Sequence, residues 1–158
     1  MRRLQQSCRR HHIEVTYTVI ESLTKDGRDR SLDYKITGFN VPKRSWDARV
    51  IEAIEPLEDE IIFPKTSSSA FISTNIHYVL GNLGIRYLVL CGCLTDQCVS
   101  SMVRDACDLG YLVTLITDAC ATGSQERHDH SIEYIKGYCR RRTTEEFVRE
   151  LSRHEPIL

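Results

Sequence analysis

Short apolar runs alternate along this chain with longer stretches in which apolar residues recur every three or four positions. The most continuous run, Tyr87 to Cys93, carries no charge, which is how a strand covered on both faces reads. Gly92 turns the chain there, and Thr95-Asp96 is a helix-start signal. A helix is expected from Asp96 to Leu109, with Val99, Met102, Val103 and Ala106 on one face and Gly110 as its stop. Cys98 falls in the first turn, three residues after the predicted N-cap Thr95.

The same reading places strands at Ile13–Ile20, Glu60–Phe63 and Tyr111–Thr117. Helices are expected from Ser45 through Glu55, stopped by Pro56 and carrying Trp46, Val50, Ile51 and Ile54 at helical spacing, and from Phe71 to Leu83, with Ile72, Ile76, Val79 and Leu80 apolar and Gly84 as the end. A further helix covers Gln125–Tyr138, and Thr143-Thr144-Glu145-Glu146 is a capping box opening a last helix with Phe147, Val148 and Leu151. Lys25–Asp29 reads as a turn and Asp33–Pro42 as irregular. The basic, acid-free segment Met1–His12 reads as the tail of a surface helix leading into the first strand, in preference to the start of a transit peptide. Strands separated by helices of this length imply βαβ units. The expected fold is therefore a doubly wound, mostly parallel α/β sheet with helices on both faces, a Rossmann-like three-layer α/β/α domain. No repeat or linker divides the 158 residues, so one domain is expected.

Composition narrows the function. The 21 basic and 22 acidic residues nearly cancel, which argues against a nucleic-acid partner. No apolar run has the length of a membrane span, and no secretory h-region is visible. Seven cysteines, an odd number spread along the chain, read as reduced thiols of a cytoplasmic protein. The Cys91, Cys93 and Cys98 spacing matches no usual zinc pattern, and His128 and His130 are two apart and share no helix face; neither a metal nor another cofactor is expected.

Two residues carry candidate chemistry. Cys98 at the tip of a strand-to-helix turn is how a nucleophile is commonly presented, because helix N–H groups and the dipole favour a thiolate; a small buried cysteine fits the same position. A redox role for Cys98 needs a resolving thiol, for which Cys93 and Cys120 are the candidates. Lys65 follows a strand, where ligands gather in an open parallel sheet, although a solvated lysine reads the same way. Arg28, Asp29 and Tyr34 lie in a loop that either shapes a substrate or is simply solvated.

The segment Gly92 to Val99, then Arg104-Asp105-Ala106, Gly110-Tyr111 and Thr117-Asp118-Ala119, resembles the isochorismatase-like cysteine hydrolase superfamily, as do Pro64-Lys65 and Ser69-Ala70-Phe71. The likeness runs from about Cys8 to Phe147. It implies Cys98 as nucleophile, Lys65 as the catalytic lysine, the backbone N–H groups of Leu94 and Cys98 as the oxyanion hole, and a cis peptide at Cys93–Leu94. It further implies hydrolysis of a small amide or ureido compound through a thioester at Cys98, and a homo-oligomer. The nicotinamidase branch fits less well, since an Asp-x-His…His cluster is absent near the second strand. The family's first strand, which ends in a general-base aspartate, has no counterpart: Ile13–Ile20 matches its second strand, and neither Glu14 nor Asp96 takes the aspartate's place. The expectation is an N-terminally incomplete domain with two unpaired strand edges inside the sheet. The alternative role is a catalytically impaired relative acting as an interaction partner.

Overall fold

In the computed structural model, which describes residues 1–153, five strands and seven helices alternate. The order is α1 (Arg2–Arg10), β1 (Thr16–Ile20), α2 (Leu32–Ile36), β2 (Ile61–Lys65), α3 (Ala70–Ser73), α4 (Ile76–Asn82), β3 (Tyr87–Cys93), α5 (Ser100–Asp108), β4 (Leu112–Ala121), α6 (Gln125–Tyr134), β5 (Arg140–Arg142) and α7 (Thr144–Arg153). Every strand pair is parallel. The doubly wound α/β fold expected from the sequence is the fold observed.

Side chains alternate cleanly across the sheet. On one face Phe63, Leu88, Leu90, Val113 and Leu115 pack with Ala70, Leu80, Val103, Ala106 and Ile135 from α3 to α6 and its C-terminal end. On the other face Val15, Val89 and Ile116 pack with Leu4 and Cys8 of α1 and Phe147 and Leu151 of α7. Gly84 and Gly110 sit at φ +70° and +87°, the left-handed conformation that ends α4 and α5. The capping box is formed as read: the Thr143 amide donates to Glu146 Oε2 (2.7 Å), and the Glu146 amide donates to Thr143 Oγ1 (3.2 Å).

The hydrogen-bonded sheet is in two pieces, β1–β2 and β3–β4–β5. The chain between β1 and β2 crosses the α1 face, where Arg2, Gln5 and Arg9 donate to the carbonyls of Ala53, Ile54 and Glu55. The connections from β2 to β5 use the opposite face.

Several elements differ from the sequence reading. The helix expected over Ser45–Glu55 is two short 3₁₀ turns, Trp46–Ala48 and Glu52–Ile54, because its apolar residues have no surface to cover: Trp46 is 79% and Ile51 63% exposed. The helix expected over Phe71–Leu83 breaks at Thr74, whose hydroxyl donates to the Ala70 carbonyl (2.7 Å) and accepts from the Ile76 amide (3.1 Å), competing with the helical ladder. A short helix, α2, capped by Ser31, lies within the expected irregular segment, and α6 ends at Tyr134 instead of Tyr138. The strand expected over Glu60–Phe63 runs on to Lys65, with Pro64 tolerated because β2 is an edge strand. The strand expected to end at Thr117 runs to Ala121. β5, an Arg-Arg-Arg edge strand, was not expected; Arg140 and Arg142 both pair with Glu150 of α7, at 3.0 and 2.5 Å.

Glu60 ties α1 to the start of β2. Arg9 donates to it twice, from Nε (2.8 Å) and Nη2 (2.7 Å), and the Tyr17 hydroxyl (3.2 Å) and the Leu57 amide (2.9 Å) add to this. The Arg9 hydrogen bonds outweigh burial and hold the Glu60 carboxyl below its ordinary value. Its contribution is complete above that ordinary value and is lost as pH falls through the lowered one. Thermal melts of wild type and Glu60→Gln should therefore differ at neutral pH and converge as the solution is acidified below pH ~4. Truncating the fully buried Phe147 to alanine should cost about 3–5 kcal/mol in guanidinium unfolding, because it leaves a cavity between α1, α7 and β4.

Candidate active site

The C-terminal ends of β2 and β3 bring together the two residues singled out from sequence. Lys65 is the last residue of β2 and is only 3% exposed. A buried ammonium needs acceptors, and Lys65 Nζ has two: the Ser67 carbonyl at 2.8 Å and Cys98 Sγ at 3.4 Å. Cys98 itself is half-buried. A cation at this distance stabilises negative charge on sulfur.

Cys98 lies in a wide turn over Thr95–Val99, in which the Val99 amide donates to the Leu94 carbonyl at 3.1 Å, a five-residue step. The turn begins with the cis peptide Cys93–Leu94. Thr95 is not the helix cap. Its fully buried side chain shares a 2.9 Å hydrogen bond with Nδ1 of His128, and its carbonyl accepts from the Ser131 hydroxyl at 3.0 Å. The Asp96 carboxylate accepts from the Thr122 hydroxyl and the Arg127 guanidinium, in that order of effect, and these hold it below its ordinary range. Three residues of α6 thus fasten the turn that carries Cys98. The sequence shows His128 and Arg127, but only the packing of α6 against this turn gives them a role.

The other candidates are placed as follows. Asp29 accepts from the Leu23 and Thr24 amides and the Thr24 hydroxyl. Burial alone would raise its pKa, but these bonds bring it down to about 2. Arg28 pairs with Asp26, and the Tyr34 ring packs edge-on against Phe39. All three residues are thus engaged within their own loop. A shallow recess between Ile20, Arg30, Tyr34 and Thr66 joins that loop to the residue after Lys65. A recess of about 360 Å³ lies between α6 and β5, lined by His128, Arg141 and Thr143, and does not include Cys98 or Lys65. Burial pushes the Cys120 thiol up to about 12 and Cys8 up to about 11. A thiol like Cys120 is a poor resolving partner at neutral pH. Among the described residues no three His, Cys, Asp or Glu side chains are gathered as a metal site, and no helix is long and apolar enough to cross a membrane.

Fold and site together define a doubly wound α/β protein with its candidate site at the carboxyl ends of the strands. The isochorismatase domain matches residues 1–146, and the chain belongs to that family. It is 38% identical over 85 residues to a ureidoacrylate amidohydrolase RutB of Agrobacterium fabrum, an alignment spanning 54% of this chain and 37% of that protein. The chain thus matches well under two thirds of that relative's length. Among solved structures, a cysteine hydrolase from Pseudomonas syringae superposes with a TM-score of 0.88 at 25% identity, over 96% of this chain and 78% of that one. N-carbamoylsarcosine amidase from Thermoplasma acidophilum shares the fold, with a TM-score of 0.77 at 24% identity over 90% and 79% of the two chains.

Iodoacetamide near neutral pH should modify Cys98 well before Cys8 and Cys120, as followed by peptide mass spectrometry. Lys65→Met should slow labelling of Cys98 by about tenfold while leaving the order of the other cysteines unchanged.

Proposed function

We propose that the chain is a cysteine hydrolase that cleaves a C–N bond of a small amide or ureido compound. The observation that carries this reading is the 3.4 Å contact between a buried lysine ammonium and the Cys98 sulfur at the strand ends. The likeness to ureidoacrylate amidohydrolases supports an amide or ureido substrate.

Cys98 Sγ attacks the substrate carbonyl carbon and the C–O π pair moves onto oxygen. The amide N–H groups of Leu94 and Cys98, presented by the Thr95–Val99 turn, receive that oxyanion, and such preorganised donors are worth about 3 kcal/mol each in the transition state. Collapse of the intermediate breaks the C–N bond. The departing nitrogen takes the proton that the Cys98 thiol gave up on attack and leaves a thioester on Cys98. Water then attacks the thioester, releasing the acid and restoring the thiol. Lys65 stays beside the sulfur throughout and balances the charge that develops there. No cofactor enters this sequence of steps.

A second reading is a catalytically impaired relative that serves as an interaction partner. One observation favours it: the Asp96 carboxylate is taken up by Thr122 and Arg127. Exposed apolar side chains at Leu32 and Ile36, one turn apart on α2, and at Trp46 and Ile51 support self-association on this reading and on the first. The odd number of cysteines spread along the chain favours a cytoplasmic location on this proposal.

Ammonia release from N-carbamoyl amino acids, ureido acids and primary amides distinguishes the two. On the hydrolase reading, wild type turns over at least one of these classes and Cys98→Ala falls to background. Lys65→Met lowers kcat by about 10²-fold or more. Turnover that survives Cys98→Ala would refute the thioester route, and no turnover by wild type would leave the interaction role.

A further inference from the structure

β4 and β5 separate beyond their last pair, Ile116 with Arg142. α6 packs on the face of Val113 and Leu115, whereas α7 packs on the face of Ile116. Two helices that leave neighbouring strands on opposite faces open a crevice at the strands' carboxyl ends, and ligands of open α/β sheets gather in such crevices. The recess of about 360 Å³ lies there, over Thr117, and small-molecule sites run from about 300 to 1,000 Å³. Its walls carry opposite charge. On the α6 side stand Asp129 and Glu133, one helical turn apart, where like charges repel. Asp129 accepts from the neutral Gln125 amide (2.7 Å) and pairs with no cation among the described residues. On the β5 side stand Arg141 and Arg142. Arg142 is engaged by Glu150 at 2.5 Å. Arg141 is held more loosely: it approaches Glu133 at 3.6 Å, beyond hydrogen-bond length, and both side chains are open to water. Such a pair contributes little, so Arg141 can turn to a ligand at small cost. Glu146, the remaining carboxylate here, is taken up by the Thr143 amide and hydroxyl.

We propose that this recess is a second binding site, separate from Cys98 and Lys65, and that it takes a small zwitterion bearing a carboxylate and an ammonium, the chemistry of an amino acid. Arg141 receives the carboxylate through its planar fork of N–H donors. The ammonium lies against Asp129 and Glu133, supplies the cation that Asp129 lacks and relieves the repulsion between the two. A simple anion meets the repulsion of the acidic wall, and a simple cation that of Arg141 and Arg142. A ligand with both charges matches both walls. His128 stands between this recess and the candidate active site: it lines the recess, and its Nδ1 shares the 2.9 Å hydrogen bond with Thr95. An occupant therefore borders the imidazole that fastens the Cys98 turn. The binding site does not depend on that turn doing chemistry.

The test is an amide NMR titration of the 158-residue chain with glycine, β-alanine, γ-aminobutyrate and 6-aminohexanoate, and with butyrate and butylamine as single-charge controls. At least one amino acid should saturate, shift amides on both walls (residues 128–133 and 141–146) and bind about tenfold more tightly than either control. Arg141→Gln and Asp129→Asn, both at exposed positions, should each weaken that binding about tenfold while leaving the spectrum elsewhere unchanged. Cys98→Ala should bind as wild type does. The proposal is overturned if no amino acid binds more tightly than the controls, or if either charge-removing variant binds like wild type. Binding that is lost in Cys98→Ala also overturns it, by placing the ligand at the candidate active site. None of these readouts involves turnover, so the hydrolase reading stands or falls separately.

Discussion

A buried positive charge organises the carboxyl end of this sheet. Lys65 is almost completely removed from water, and such an ammonium is tolerated only where acceptors replace its hydration. The Ser67 carbonyl supplies one and the sulfur of Cys98 the other. The two residues are 33 positions apart in the chain, and their meeting requires β2 and β3 to end at the same level. That requirement is met because every strand runs the same way and each connection returns over a helical face.

The turn bearing Cys98 is held with comparable care. A wide turn lacks the regular ladder that would make it rigid by itself. Its stiffness comes from α6: His128 on the Thr95 hydroxyl, Ser131 on the Thr95 carbonyl, Arg127 on Asp96. The turn carrying the sulfur is thus held through α6, and the ammonium through the Ser67 carbonyl just after β2. Below them, two apolar clusters support the strands on both faces, although the hydrogen-bonded sheet between those clusters is in two pieces. The framework therefore owes its continuity to helix packing more than to strand pairing.

Much of this was legible in the residues. The uncharged run Tyr87–Cys93 reads as a covered strand; it is a strand, but half-buried to exposed along its length. Gly84 and Gly110 read as helix stops and adopt the conformation that stops helices. Thr143 and Glu146 read as reciprocal caps and cap each other. These are local signals, decided within a few residues by backbone sterics and hydrogen bonding. The misreadings share a different cause. Trp46 and Ile51 have helical spacing but no surface to bury against, and Arg140–Arg142 is a strand through its pairing with Thr114–Ile116 of β4, with Arg140 and Arg142 sharing the Glu150 carboxylate of the following helix.

By itself, then, the sequence determined the class of fold, the position of the turns and the two candidate side chains, since periodicity, glycine placement and residue chemistry are properties of short segments. The tertiary structure alone decided that the Lys65 ammonium reaches the Cys98 sulfur and that Thr95 answers to His128 and not to its own helix. Each of these depends on where distant segments are brought by packing, and spacing along a chain carries no record of distance across a sheet.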